Sequence, residues 1–421
     1  MPIVLGCIAD DFTGATDLAS TLVKQGLSVV QVNGTPKNTI ALENTEAVVI
    51  ALKSRTAPAG QAITESLEAL HWLEQQGAQQ IFFKYCSTFD STDQGNIGPV
   101  TEALLSAMKE TFTIACPAFP TNGRTIYQGH LFVGNLLLSD SGMRDHPLTP
   151  MRDANLVSVL DRQTKGKVGL IPWTVVSRGS SAIKKAITEL KHENVQHAII
   201  DAITDSDLLH IGHACSELKL VTGASGVAMG LPDNFRKQNH TGEATDAFSL
   251  NLPGHSAVLA GSCSLATIEQ VATARKLWPA FPIDALSLAD NDRLVEEILH
   301  WSEQHLANGP ILIYSTASAT EVTHIQSVLG REQAGEMVEI AMGRIAQGLL
   351  ERGVRKLVVA GGETSGAVVQ ALKIDAMAIG PEIAPGVPWC RTFGEPNTLL
   401  ALKSGNFGDK HFFLEAVEQL K

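Results

Sequence analysis

The chain of 421 residues has no apolar run long enough to span a membrane. Its N-terminus lacks a basic segment leading into a long apolar stretch and a small-residue cleavage site. A cytoplasmic protein with no membrane partner is expected. No block of Lys and Arg occurs either; basic residues are scattered singly against a formal net charge of −12. Nucleic acid binding needs a clustered basic face to displace condensed counterions, so no nucleic acid partner is expected. A small anion can still be held where a few cations and backbone amides converge. The 6 cysteines form no CxxC pair and no metal-ligand spacing, and most lie in apolar runs as small hydrophobes, which fits a reducing compartment. The 13 histidines contain no HxxxH or HExxH pairing and leave the metal ligands unknown. GxxxxGK[ST] is absent and no GxGxxG follows a strand, which excludes a conventional Walker A loop and a dinucleotide fingerprint. No repeat of solenoid length is present.

What is present is alternation. A hydrophobic fraction of 44% with 18% charged residues describes a soluble globular protein, and the length exceeds one ordinary core, so two domains are expected. Apolar runs read as strands at 3–9, 28–32, 47–52, 80–85, 112–116, 168–171 and 197–202, and again at 256–261, 310–315, 356–362 and 397–405. Between them lie amphipathic stretches such as 61–77, where Ile63, Leu67, Leu70 and Leu73 recur at helical spacing. Nearly continuous apolar strands separated by helices predict an α/β protein of two domains, each with a mainly parallel sheet flanked by helices. The pattern lapses over "LPDNFRKQNHTGEATDAFSLNLPGH" (231–255), which is rich in turn residues. The expected division is 1–235, a linker at 236–254, and 255–421.

Three strand-to-helix turns in the second domain combine glycine with hydroxyls. "KLVVAGGETSGAVVQAL" (356–372) runs from a strand through Gly361, Gly362, Glu363, Thr364, Ser365 and Gly366 into a helix expected from about Ala367. "VLAGSCSLATIEQV" (258–271) offers Gly261, Ser262 and Ser264, and "ALKSGNFG" (401–408) offers Lys403, Ser404, Gly405, Asn406 and Gly408. Glycines let backbone approach a phosphate closely, and the amides of a helix's first turn favour an anion. A tight turn with a Ser or Thr cap explains any one of them equally well. Three turns that can open on one carboxyl-end sheet edge suit phosphate binding better.

The first domain has polar stretches of another kind. "IADDFTGATDLA" (8–19) places Asp10, Asp11, Thr13 and Gly14 where the first strand ends, either to cap a helix or to handle a substrate. Consecutive residues there should point different ways and do different jobs. "FFKYCSTFDSTDQGNIG" (82–98) adds Lys84, Asp90, Ser91 and Thr92, a set suited to a hydroxylated anion or to a polar loop with helix-capping residues. Among the isolated cations, Arg55 and Arg152 sit in turn-rich segments after apolar runs and are the preferred carboxylate partners, ahead of Arg124 and Arg178. Gln128, Gly129 and His130 border a further strand.

Together "IADDFTGATDLA", "KYCSTFDSTDQGNIG", "YQGHLFV" and "VVAGGETSGAVVQAL" resemble the four-carbon acid sugar kinases over essentially the whole chain. Within that family the opening residues most resemble the branch acting on 3-oxo-tetronate. The resemblance implies ATP-dependent phosphorylation of the 4-hydroxyl of a four-carbon sugar acid, with ATP and Mg²⁺ as cofactors and the active site in an interdomain cleft. D-Threonate and D-erythronate are the alternative acids, and a non-catalytic sugar-acid sensor is the alternative activity. By position, Asp10, Asp11, Thr13 and Gly14 match the first substrate-side motif, and Lys84, Asp90, Ser91 and Thr92 the second. Ser262, Gly361, Gly362, Glu363, Thr364 and Gly405 match the nucleotide-side turns, which Ser264 and Asn406 adjoin. Either Asp10 or Asp11 is expected to orient or deprotonate the acceptor hydroxyl, with Asp90 next in line. Arg55, Lys84 and Arg152 are expected to hold the carboxylate. A homodimer is compatible with all of this.

Overall fold

The structure, a computed structural model, describes residues 3–420 except 37–39, 41, 43, 91, 146–148, 237–247, 292, 318–323 and 326. The chain divides into two compact units, Met1–Thr245 and Asp246–Lys421.

In the first unit the apolar runs pair as parallel strands. These are β1 (Leu5–Ala9), β2 (Val29–Asn33), β3 (Ala47–Ala51), β4 (Gln80–Lys84) and β5 (Thr113–Cys116). A meander follows: β6 (Arg124–Tyr127), β7 (His130–Val133) and β8 (Leu136–Leu137). The sheet is completed by β9 (Lys167–Ile171), β10 (Val195–Ile200) and β11 (Leu220–Gly223). Its order is β2-β3-β1-β4-β11-β5-β10-β9, every described pairing parallel. All residues of β1, β3 and β4 are buried, as strands covered on both faces must be. The helix expected over 61–77 spans Ala59–Gln75 and buries Ala62, Ser66, Ala69, Leu70 and Leu73, with Ile63 and Leu67 flanking that stripe.

The second unit repeats the plan with β12 (His255–Ala260), β13 (Ala280–Pro282), β14 (Ile311–Tyr314) and β15 (Val354–Ala360). It adds β16 (Ala376–Ala384), β17 (Val387–Thr392) and β18 (Leu399–Lys403). The order is β13-β14-β12-β15-β18-β17-β16, parallel as far as β18 and antiparallel for β17 and β16. Trp389 and Phe412 lie in its core beside Val258, Val358 and Leu399.

The described cysteines are free. Cys7, Cys116, Cys215 and Cys390 are buried and Cys263 is exposed. Among the described residues no helix is long and apolar enough to cross a membrane.

Candidate functional site

In the first unit the chain order reverses at β1, which has β3 on one side and β4 on the other. In open α/β sheets ligands bind at such a point, beyond the carboxyl ends of the strands. Those ends deliver the charged groups: Asp10 leaves β1, Arg55 follows β3 and Lys84 ends β4. Arg55 grips Asp10 with two parallel bonds, Nε donating to Oδ2 at 2.9 Å and Nη2 to Oδ1 at 2.8 Å. The same Nη2 donates to Asp11 Oδ1 at 2.7 Å. The two adjacent carboxylates, expected to diverge, therefore share one guanidinium.

Asp11 is also the N-cap of the helix Phe12–Lys24. Its Oδ1 accepts from the Gly14 amide at 3.0 Å, and its Oδ2 from Thr13 Oγ1 at 3.0 Å. A Cβ on Gly14 would stand 2.2 Å from Asp11 Oδ1 and 2.9 Å from Lys84 Nζ, so only glycine leaves both groups in place. Behind them the backbone is fixed. The amides of Ser54 and Arg55 donate to the Asp10 carbonyl at 3.0 and 3.2 Å. Asn96 Nδ2 faces the carbonyls of Ser54, Arg55 and Ala57 at 2.8, 3.2 and 2.8 Å.

The carboxylates differ electrostatically. Burial pushes Asp10 above its ordinary range, against the pull of Arg55. For Asp11 burial acts the same way, but Arg55, Lys84 and the bonds from Thr13 and Gly14 outweigh it and hold the carboxyl below that range. The Asp10 side chain is 8% exposed and that of Asp11 27%, so Asp11 is the ionised group a ligand can reach.

Asp90 is half-buried nearby. Its Oδ1 accepts from Thr88 Oγ1, which also lies 2.9 Å from Cys86 Sγ, and burial pushes the Cys86 thiol up to about 11. The Thr92 carbonyl accepts from Gln163 Nε2 at 2.5 Å, while Gln163 Oε1 accepts from the Gly98 amide at 2.9 Å, so Gln163 holds both ends of this loop. Ser91 lies outside the described residues. Arg152 is exposed before the helix Leu156–Gln163, and among the described residues no hydrogen bond or ion pair joins it to the Asp10–Arg55 group. Gln128 and Gly129 form the tight turn between β6 and β7, and their amides donate to Asp201 at 2.7 and 2.9 Å. Their positive φ angles of 51° and 73° suit such a hairpin turn, a structural task.

The second unit has its own reversal point at β12, between β14 and β15. Ser262 and Ser264 follow β12, Gly361 follows β15 and Gly405 follows β18, and these turns meet. A Cβ on Gly361 would lie 2.9 Å from Thr364 Oγ1 and 3.2 Å from the Ser262 amide. One on Gly405 would lie 2.5 Å from Ser262 Oγ and 3.0 Å from Ser264 Oγ. The helix starts at Gly362, not near Ala367, which corrects the expectation from sequence. Burial of Thr364 and Ser365, with the Ser365 amide donating to the Gly361 carbonyl at 2.8 Å, closes the first turn despite two glycines. Gly361 is the N-cap and supplies no side-chain bond, so the first-turn amides are not capped by a Ser or Thr. Glu363 and Asn406 are exposed at this edge, and Ser264 caps the helix Leu265–Ala274.

Sequence reasoning passed over Thr267 and Gln270 as functional groups, and took Lys403 only as one residue of its glycine-hydroxyl turn. Lys403 is fully buried at the end of β18, as Lys84 is nearly so at the end of β4. A lysine closing an apolar strand run is the signal both share.

Residues 5–231 match the family described as a sugar-binding N-terminal domain, and residues 257–413 the family described as a nucleotide-binding C-terminal domain. The chain is 54% identical over 418 residues to a 3-oxo-tetronate kinase of Burkholderia multivorans, covering 99% of this chain and 97% of that one. It is 54% identical over 425 residues to a 3-oxo-tetronate kinase of Cupriavidus necator, with the same coverage. A solved structure from Salmonella typhimurium LT2 superposes with a TM-score of 0.91 at 44% identity, covering 99% of both chains. One from Haemophilus influenzae gives 0.83 at 43% identity, covering 99% of this chain and 100% of the other.

Proposed function

We propose, given that this chain belongs to the four-carbon acid sugar kinase family, that it transfers the γ-phosphoryl group of ATP to the 4-hydroxyl of 3-oxo-tetronate. Near full-length identity of 54% to relatives named for that reaction supports this reading most. On this reading residues 1–235 hold the acid, 255–421 hold the nucleotide, and 236–254 join them.

Phosphoryl transfer asks a protein for alignment and charge neutralisation more than for covalent chemistry. Asp11 is the group we assign to the acceptor hydroxyl. It is ionised, reachable, and oriented by Thr13, Gly14 and Arg55. Because the transition state is loose, a carboxylate held low can orient the hydroxyl and take its proton late. Asp10 then positions Arg55, and Lys84 supplies charge for the substrate carboxylate. Asp90, Ser91, Thr92 and Arg152 remain candidates for the sugar hydroxyls and the carboxylate.

On the donor side, the first-turn amides from Gly362 to Thr364, with Ser262 and Gly405, cradle the phosphates. Mg²⁺, when bound alongside ATP, would supply neutralisation of phosphate charge, with Glu363 the residue that would hold it. The donor set fits such an ion, since Mg²⁺ is usually held by one or two carboxylates and the phosphates themselves, and Glu363 stands exposed in the first turn beside them.

The test is ADP release with 3-oxo-tetronate, D-erythronate and D-threonate as acceptors. Release with 3-oxo-tetronate at the highest kcat/KM is expected. Preference for either hydroxy acid would move the assignment within the family. ATP binding with no ADP from any four-carbon acid would replace it with a sensor.

A further inference from the structure

The loop after β18 has its carbonyls turned inward onto buried donors. Lys403 Nζ donates to the carbonyls of Ser404 and Gly405 at 3.0 and 2.8 Å, and to Thr267 Oγ1 at 3.1 Å. The Gly405 carbonyl accepts two more bonds, from Ser264 Oγ at 2.6 Å and Thr267 Oγ1 at 2.9 Å. Further along, Gln270 Nε2 faces the carbonyls of Phe407, Gly408 and Asp409 at 3.0, 3.1 and 2.9 Å. Gln270 is fully buried, and its Oε1 has no partner among the described residues, so its amide is set for its donors.

Peptide planarity gives this arrangement a consequence. In a trans peptide the C=O of one residue and the N–H of the next point in opposite directions. Five carbonyls directed inward, at 404, 405, 407, 408 and 409, therefore direct the amides of Gly405, Asn406, Gly408, Asp409 and Lys410 away from the scaffold. Outward amides in succession, as at 405–406 and 408–410, are the donors from which backbone anion sites are built, while the Phe407 amide turns inward to the Ser404 carbonyl. The outward amides lie beside the Ser262 turn, because the Gly405 backbone packs against Ser262 Oγ so closely that a Cβ would stand 2.5 Å from it.

We infer that Lys403 and Gln270 are positioning residues for the nucleotide: they hold the 404–410 loop carbonyl-in and amide-out, so that backbone amides and not the lysine itself meet the phosphate tail. Lys403 is suited to this and not to direct contact. It is fully buried, its three N–H donors are matched by three acceptors, and its ammonium stands 5.9 Å from the Phe412 ring centroid. The inference rests on the nucleotide reading of the second unit.

The test compares the full-length protein with Lys403→Met and Gln270→Leu, measuring ATP binding by calorimetry, steady-state kinetics with 3-oxo-tetronate, and amide hydrogen exchange over 404–410. In Lys403→Met the Kd and KM for ATP rise about tenfold or more, as expected when buried carbonyls lose their donor. The KM for the acid stays unchanged, and exchange accelerates at 405–409. Gln270→Leu moves the same quantities in the same direction and keeps the test available should Lys403→Met fold poorly. Faster loop exchange with ATP Kd and KM within twofold of wild type in both variants would overturn the inference. Failure of the nucleotide reading looks different: wild type itself would bind no ATP.

Discussion

The two units place their candidate sites alike and build them from different materials. Each uses the strand at which chain order reverses, β1 in the first and β12 in the second, and gathers the turns beyond neighbouring carboxyl ends. The first unit fills that position with charged side chains: two carboxylates on one guanidinium, with a lysine beside them. The second fills it with glycine backbone and hydroxyls, and keeps Lys403 behind the loop. On the proposed function the difference follows from the ligands. A small acid is told from other small acids by a few hydroxyls and one carboxylate, which demand side chains fixed in direction. A phosphate tail is the same in every nucleotide and is met by amides, which need only the right backbone.

Removing the shared counter-charge breaks this contrast hardest. Arg55→Met leaves Asp10 and Asp11 together with Lys84 as the cation offsetting them among the described residues, in a place where the Asp10 side chain is 8% exposed. Breaking a buried pair from one side costs about 3–5 kcal/mol. A large fall in melting temperature and loss of ADP release are expected, read by thermal denaturation and a coupled assay. An unchanged melting temperature would mean the ion pair does not hold this edge together.

Asp11→Asn sharpens the contrast by separating its two tasks. Asn caps a helix about as well as Asp, so the cap survives and stability falls only by the charge lost from the pairing with Arg55. An uncharged amide cannot take the acceptor proton, and kcat should fall by about 10²–10⁴-fold. Turnover within a few-fold of wild type would reduce Asp11 to a cap. On the nucleotide side the matching change is Gly361→Ala. Its φ of 130° disfavours any side chain, and the new Cβ would meet Thr364 Oγ1 at 2.9 Å. With strain of about 1–3 kcal/mol, KM for ATP should rise about tenfold or more while KM for the acid holds. A rise in both would show that the two sites are not separable.

The two halves were unequally legible. Strands β1, β3, β4 and β15 are buried along most of their length and read as apolar runs within two residues of their ends. The antiparallel pair β16 and β17 was missed because Gly380, Pro381 and Glu382 interrupt one strand and Pro388 the other. Asp10, Asp11 and Lys84 announced themselves as charges at the ends of apolar runs. That Arg55 joins both carboxylates depends on β3 lying beside β1, a tertiary fact. Lys403 announced itself in the same way at the end of β18, but Gln270 gave no comparable notice. Gln270 reads as one polar residue of a helix, and the carbonyls it holds lie 137–139 residues away.

The smallest effect concerns the buried lysine. Burial pulls Lys403 down from its ordinary value to about 7 in the folded protein, while in the unfolded chain it titrates near 10.5. Between those values the unfolded chain binds the additional proton, so this group makes stability rise with pH across the window, by at most about 1.4 kcal/mol per pH unit. Below pH 7 both states are protonated and the full penalty of the buried charge is present. Above about 10.5 it is gone. Other groups titrate in the same range, so the quantity to measure is the difference between wild type and Lys403→Met in urea unfolding from pH 6 to 9. That difference should favour the methionine variant most at pH 6 and narrow steadily above pH 7. A difference independent of pH would mean that the three bonds from Nζ hold the ammonium protonated throughout, and that the loop keeps all three donors wherever the protein is folded.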